Sequence, residues 1–405
     1  MLKEITKSLD FYFALALSAI IPNLPLLIPI VMALWVLTLF FRIRSLKLKF
    51  SKQVIFLLMF FLVNLLGMTY TSPENMSRGW FDIEIKLSFL LFPLLFFFIP
   101  KFSAKQLQLI VNSFIVAVLV SVIWHYLRSV FQYYSGENVY TFYGKNFTKP
   151  FHIGYYAVYV NVAFLALLTL KKSWFKNNNV IYILAFGVIT VGQFFTTSKI
   201  GIITFLALTL GYFIYQAARE GFKKYHTVLL GLTIIMGVFF ANSKTGSRFR
   251  LAYDQFFNTE LSPTAEGSTQ ARFFALKTVF TIIEDHWVTG VGTGDIDIET
   301  QNRYKTFEYT GALKRNLNAH NQFLQTFAAL GLLGFISILG IFISMFYQSL
   351  KNRNQLLLGF ALICFIFALT ESMFETQAGI VFFTFFSLIL SQNNSEYDSI
   401  FTSSS

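Results

Sequence analysis

The chain has 405 residues, of which 55% are hydrophobic and only 13% charged, and it contains 51 phenylalanines. A soluble core of this size cannot bury that much apolar surface, so the composition points to a polytopic membrane protein. The net charge of +12 does not indicate nucleic acid, because the basic residues punctuate the apolar runs and form no dense patch with interleaved aromatics.

A helix that crosses the hydrocarbon core takes about 20 largely apolar residues. In chain order this predicts an all-α architecture of about 12 transmembrane helices, near 9–22, 25–41, 53–70, 82–99, 106–130, 153–170, 179–196, 199–217, 226–242, 322–349, 355–371 and 376–391. The first run, preceded by Lys3 and Lys7, faintly resembles a signal peptide. A second apolar run follows at once, so the first is read as a retained helix. The spans divide the chain into 1–242 with helices one to nine, an extramembrane loop 243–320, and 321–405 with the last three helices and a tail. Cys364 is the single cysteine and allows no intrachain disulfide.

Charge sets the orientation. With the N-terminus placed in the cytoplasm, the inside segments hold Lys3, Lys7, the basic cluster 42–52, Lys101, Lys105, Lys171, Lys172, Lys176, Arg219, Lys223, Lys224, Lys351 and Arg353. The short segments opposite hold only Arg78, Lys86, Arg128, Lys145, Lys149 and Lys199. The bias predicts both termini inside and the long loop outside. Asp254, Glu266, Asp285 and Asp295 then fall outside as well. Few ionisable residues fall at the centre of a span, where a transporter with a midplane site would need them.

Within the loop, apolar side chains at 273, 276, 280 and 283 predict an amphipathic helix over 270–286 that lies on the membrane and packs on the bundle, with Arg272 in its first turn. Gly290, Gly292 and Gly294 alternate next. No strand precedes them as a nucleotide loop requires, so a turn allowing close backbone approach is expected. No cluster has zinc spacing, Asp295, Asp297 and Glu299 lack the Ca²⁺-loop pattern, and no nucleophile elbow occurs, so no metal site is expected.

His320 stands just before the tenth span. It is either an interfacial ring satisfied by loop carbonyls or a general base that takes a proton from an incoming hydroxyl. Asn321 and Gln325, four apart, can point to one side of the helix start beside it. Lys199 lies outside in FFTTSKIGIITF, where a cation suits a phosphate and Thr196, Thr197 and Ser198 offer hydroxyls. Arg315 could also bind an anion, whereas Lys314 reads as soluble rim. Lys86 is expected to pair with Asp82. Glu371 and Glu375 flank the last outer turn, where a carboxylate could bind an acceptor, hold an arginine or simply be part of a polar hairpin.

Three blocks between about 180 and 380 resemble the O-antigen ligase and O-antigen polymerase superfamily of bacterial envelope glycan transferases. TTSKIG at 196–201 is similar to the block that opens a transmembrane helix, with Lys199 where an arginine is usual. Arg272 followed by HWVTGVGTGDI at 286–296 is similar to a second block, with Trp287 where proline is common. NAHNQFLQTFAALGLLG at 318–334 is the most specific, and LTES at 369–372 fits a late acidic position. The resemblance implies a GT-C-like membrane fold with a large, partly helical periplasmic loop in the bacterial inner membrane. It implies metal-independent glycosyl transfer without a cofactor, from undecaprenyl pyrophosphate to a hydroxyl of lipid A–core. His320 would activate that hydroxyl, and Lys199 and Arg272 would hold the pyrophosphate. From their own positions Arg315 is added to the pyrophosphate side, and Asn321, Gln325 and Glu371 to the acceptor side. A polymerase of O-antigen or exopolysaccharide, using a second lipid-linked glycan as acceptor, is the alternative within this chemistry. A lipid-linked glycan transporter is the alternative outside it.

Overall fold

The computed structural model describes residues 2–41, 51–99, 101–174, 179–219, 223–258, 260–265 and 268–392. The basic positions at 42–49, Lys176, Glu266 and the tail after 392 lie outside them. The described residues form helices only, without a strand: α1 (Leu2–Ile20), α2 (Ile28–Leu37), α3 (Lys52–Gly67), α4 (Met76–Lys86), α5 (Ser88–Phe98), α6 (Ala104–Tyr134), α7 (Lys145–Thr148), α8 (Ile153–Trp174), α9 (Asn179–Phe195), α10 (Lys199–Arg219), α11 (Lys224–Ala241), α12 (Lys244–Tyr253), α13 (Ser268–His286), α14 (Ile296–Thr306), α15 (Thr310–Lys314), α16 (Gln322–Lys351), α17 (Gln355–Ala368) and α18 (Gln377–Leu390). Among the described residues six helical stretches are long and apolar enough to cross a membrane: Lys52–Tyr70, Ala104–Tyr134, Ile153–Leu170, Lys199–Ala218, Lys224–Ala241 and Gln322–Lys351. Shorter apolar helices at Leu9–Ile20, Pro25–Leu37, Asn179–Phe195, Gln355–Ala368 and Gln377–Leu390 coincide with five further expected spans.

Helix starts follow local chemistry. Ser103 and Gln106 form a capping box at α6, and Asn354 caps α17 by accepting from the Leu357 amide at 2.9 Å. The core is aromatic: Phe374, in the segment between α17 and α18, sits 4.9 Å from both the Phe89 and Phe383 rings and 5.7 Å from Phe60.

Three expectations change. The span 82–99 is not one helix but breaks at Leu87 between α4 and α5. Lys86, at the break, is buried and bonds both Asp82 oxygens at 2.6 Å and Glu375 at 2.9 Å. The span 322–349 is likewise divided, at Gly331, whose φ of +59° leaves the helix. Here the backbones meet: Val291 and Gly292 donate to the carbonyls of Ala328 and Ala329 at 3.0 and 2.9 Å, and Leu332 donates to Val288. A Cβ at Gly331 would stand 2.2 Å from the Val288 oxygen, and one at Gly290 2.4 Å from Ala329 backbone atoms, so only glycine fits. The glycine run is therefore a clip; Asp295 fastens its end to Ser72 (2.8 Å) and Asn75 (2.6 Å) beyond α3.

The third change is the buried face of the loop helix, α13. Ile283 is buried as expected, but Phe273 and Phe280 are 40% and 51% exposed, and the buried face runs instead through Ala271, Phe274, Ala275, Val279 and Ile282. Two apolar stripes overlap on this helix, and 3–4 spacing alone does not choose between them. The observed rotation packs α13 on α14 and α16 and brings Arg272 to the edge of the bundle's mouth.

Candidate active site

His320 closes the turn before α16 with a left-handed φ of +45°. For a non-glycine residue this costs on the order of 1–3 kcal/mol and persists only where surroundings impose it. They do so here. Asn318 Oδ1 accepts from the His320 amide at 3.0 Å and from Ser372 Oγ at 3.2 Å, which ties the turn to the segment after α17. Asn321 caps α16 through the Leu324 amide and donates to the Leu369 carbonyl at 3.2 Å, and Gln325 accepts from the Ala319 amide at 3.0 Å. Asn321 and Gln325 are thus engaged in building the turn.

The clamp places Glu371 against His320. Glu371 Oε2 lies 2.8 Å from His320 Nδ1, and its Oε1 accepts from Arg272 Nη2 at 2.8 Å. The two side chains are 14% and 18% exposed, and Arg272 is 40% exposed. Burial alone would raise the Glu371 pKa. The His320 hydrogen bond and the Arg272 charge, with lesser contributions from the His320 and His152 rings, outweigh it and hold the carboxyl below its ordinary value. A carboxylate can only accept, so Nδ1 carries the proton and the neutral ring presents a bare Nε2. That is the tautomer a general base requires.

The cations gather from distant elements. Lys199 begins α10 and is close enough to Arg248 and Arg272 to feel both charges. Arg248, on α12, donates to Thr197 Oγ1 at 2.5 Å. Thr197 itself has a φ of +54°, a strained setting for a β-branched residue. Burial first and Arg272 second lower the Arg248 pKa. Thr196 donates to the Gln193 carbonyl and Ser198 accepts from the Gly201 amide, so these two hydroxyls hold the turn together. Gly144 fits close behind, where a Cβ would come 2.9 Å from Thr197 Oγ1. Among the described residues neither Lys199 nor Arg248 forms a salt bridge. Arg315 is exposed at the end of α15. Lys199, Arg248 and Arg272 thus lie within electrostatic reach of one another, and of the three only Arg272 is paired with a carboxylate, an excess of positive charge that suits a multivalent anion.

Sequence reasoning missed Arg248, His152 and Asn318. Arg248 is one of several basic residues in a long loop where charge counting carries no weight. His152, one of five histidines, had rarity as its signal. The segment carrying Glu371 is also anchored at its far end: Lys86 and Gln322 hold Glu375 at 2.9 Å each, and Gln322 accepts from the Phe374 amide at 2.6 Å. Among the described residues no group of three or more His, Cys, Asp or Glu is placed to hold a metal.

Beside the site, a cavity of about 830 Å³ runs along α8, α10 and α17, from Thr204 and Ile366 near the mouth to Lys223 and Gln355 at the far end. No curated protein matches the chain. A family model described as O-antigen ligase matches residues 184–339, a stretch that includes Lys199, Arg248, Arg272 and His320, while His152 and Glu371 join the site from outside it. Over this stretch, which is less than half of the chain, the protein is similar to the O-antigen ligase family.

Proposed function

We propose that the protein transfers a glycan from undecaprenyl pyrophosphate to a hydroxyl of lipid A–core, at the periplasmic face of the bacterial inner membrane. The family match supports glycosyl transfer of the O-antigen ligase kind. The observation that carries the finer reading is the Glu371 carboxylate, bonded at once to His320 Nδ1 and to Arg272.

In this reading the acceptor hydroxyl gives its proton to His320 Nε2 as its oxygen bonds to the anomeric carbon. The bond from that carbon to the pyrophosphate oxygen breaks, and its electron pair leaves with the diphosphate. Lys199, Arg248 and the unused nitrogens of Arg272 stabilise the departing charge, the largest electrostatic demand of the step. Glu371 holds the ring in register and stabilises the imidazolium. The long, largely apolar cavity beside α10 supports a lipid-linked donor, since its walls suit an isoprenoid chain.

His320→Ala assayed for glycan transfer in membranes is expected to lose roughly 10²–10⁴-fold in rate, the usual contribution of a general base. Unchanged transfer would remove His320 from the chemistry.

A further inference from the structure

His152 lies at the same mouth and has no role in the step above. It precedes α8, and its Nδ1 accepts from the Gly154 amide at 3.3 Å. A backbone amide can only donate, so Nδ1 is bare and the neutral ring carries its proton on Nε2. His320 is fixed the other way round, with Nδ1 protonated against Glu371 and Nε2 bare. The two histidines therefore present opposite functions, one acceptor and one donor.

Packing holds His152 beside the site. The Tyr155 ring lies 5.4 Å from its own, and the Tyr155 hydroxyl reaches the carbonyl of Ser372, next to Glu371, at 3.4 Å. At Gly154 a Cβ would come 2.9 Å from the Phe367 ring, so the start of α8 is seated on α17. The charged groups that act on His152 are Glu371 after α17, Arg272 on α13, His320 before α16 and Lys145 on α7. Burial is the first cause lowering its pKa; Glu371 opposes this, and Arg272, His320 and Lys145 add to it. The positive end of α8 acts in the same sense. An imidazole kept neutral in this way is a hydrogen-bond donor with no proton to spare.

We propose that the Nε2–H of His152 hydrogen-bonds an oxygen of the donor's pyrophosphate, completing the cradle formed by Lys199, Arg248 and Arg272. The proposal rests on the pyrophosphate reading above and adds a neutral, directional donor to one ammonium and two guanidinium groups.

The test separates this donor from a mere helix cap. Asn at 152 keeps an oxygen for the Gly154 amide but does not reach as far as Nε2; Gln extends an N–H to that place but caps poorly. Binding of farnesyl pyrophosphate to the full-length protein in detergent is measured for wild type, His152→Asn, His152→Gln and Lys199→Ala, with thermal melts to establish folding. His152→Asn is expected to weaken binding roughly tenfold, as for a hydrogen bond to a charged group, while His152→Gln stays within about threefold. The Asn-to-wild-type ratio is expected to stay constant between about pH 7 and 9, above the ordinary imidazole range, because a neutral ring does not gain its donor by protonation. The reverse ranking, equal loss in both variants, or a ratio that grows toward acid overturns the donor role. If Lys199→Ala binds the probe as wild type does, the pyrophosphate reading falls first and takes this inference with it.

Discussion

In the proposed reaction Glu371 serves two partners with one side chain, orienting the His320 ring with one oxygen and restraining an arginine with the other. Glu371→Gln keeps the shape but can no longer require a proton on Nδ1. It is expected to lower kcat by roughly a hundredfold or more with a smaller effect on donor binding, and a change confined to KM would contradict the orienting role. Because its folded pKa is depressed, Glu371 contributes stability above the ordinary carboxylate range, and this is lost as pH falls through the depressed value. Melting midpoints between about pH 3 and 6 should therefore fall less steeply for Glu371→Gln than for wild type. Much at this scale was legible in the sequence, because a titratable residue at the end of an apolar run is rare enough to notice. That a carboxylate here could hold an arginine was also legible, but not which arginine nor the pairing with His320, since Arg272 and Glu371 stand far apart in the chain and nothing in either segment encodes the other.

Among the elements, the expected spans were read from hydropathy, and ends were readable where a cap or a charge marked them. Breaks were not. The expected span 82–99 joined the charged end of α4 to apolar α5, which part at Leu87, and α16 parts at Gly331 because a loop backbone occupies the space a side chain would need. The break after α4 lets buried Lys86 bond Asp82 and Glu375, the latter four residues beyond Glu371. Lys86→Met leaves two carboxylates without their cation and is expected to cost about 3–5 kcal/mol, measured as a lower midpoint in denaturant. Adding Asp82→Asn and Glu375→Gln to it should restore part of the loss, and no recovery would argue against a charge origin. The rotation of α13 escaped the sequence for a related reason: two apolar stripes share the helix, and the partner decides which is buried.

Over the whole molecule, the positive-inside bias predicts that both termini lie in the cytoplasm and the 243–320 segment outside. Phosphatase fusions within 260–265 are expected to be active and a fluorescent fusion at the C-terminus bright; the opposite pattern would turn the site to the cytoplasm. The O-antigen ligase match covers 184–339, yet the carboxylate beside His320 comes from position 371 and the second histidine from 152. The proposed catalytic unit is consequently not a portable module. A chimera that grafts only the matched stretch onto a related scaffold would carry the proposed base and its cations but borrow the host's carboxylate. The fitness of such exchanges should track how well the host's segment after α17 meets the incoming turn.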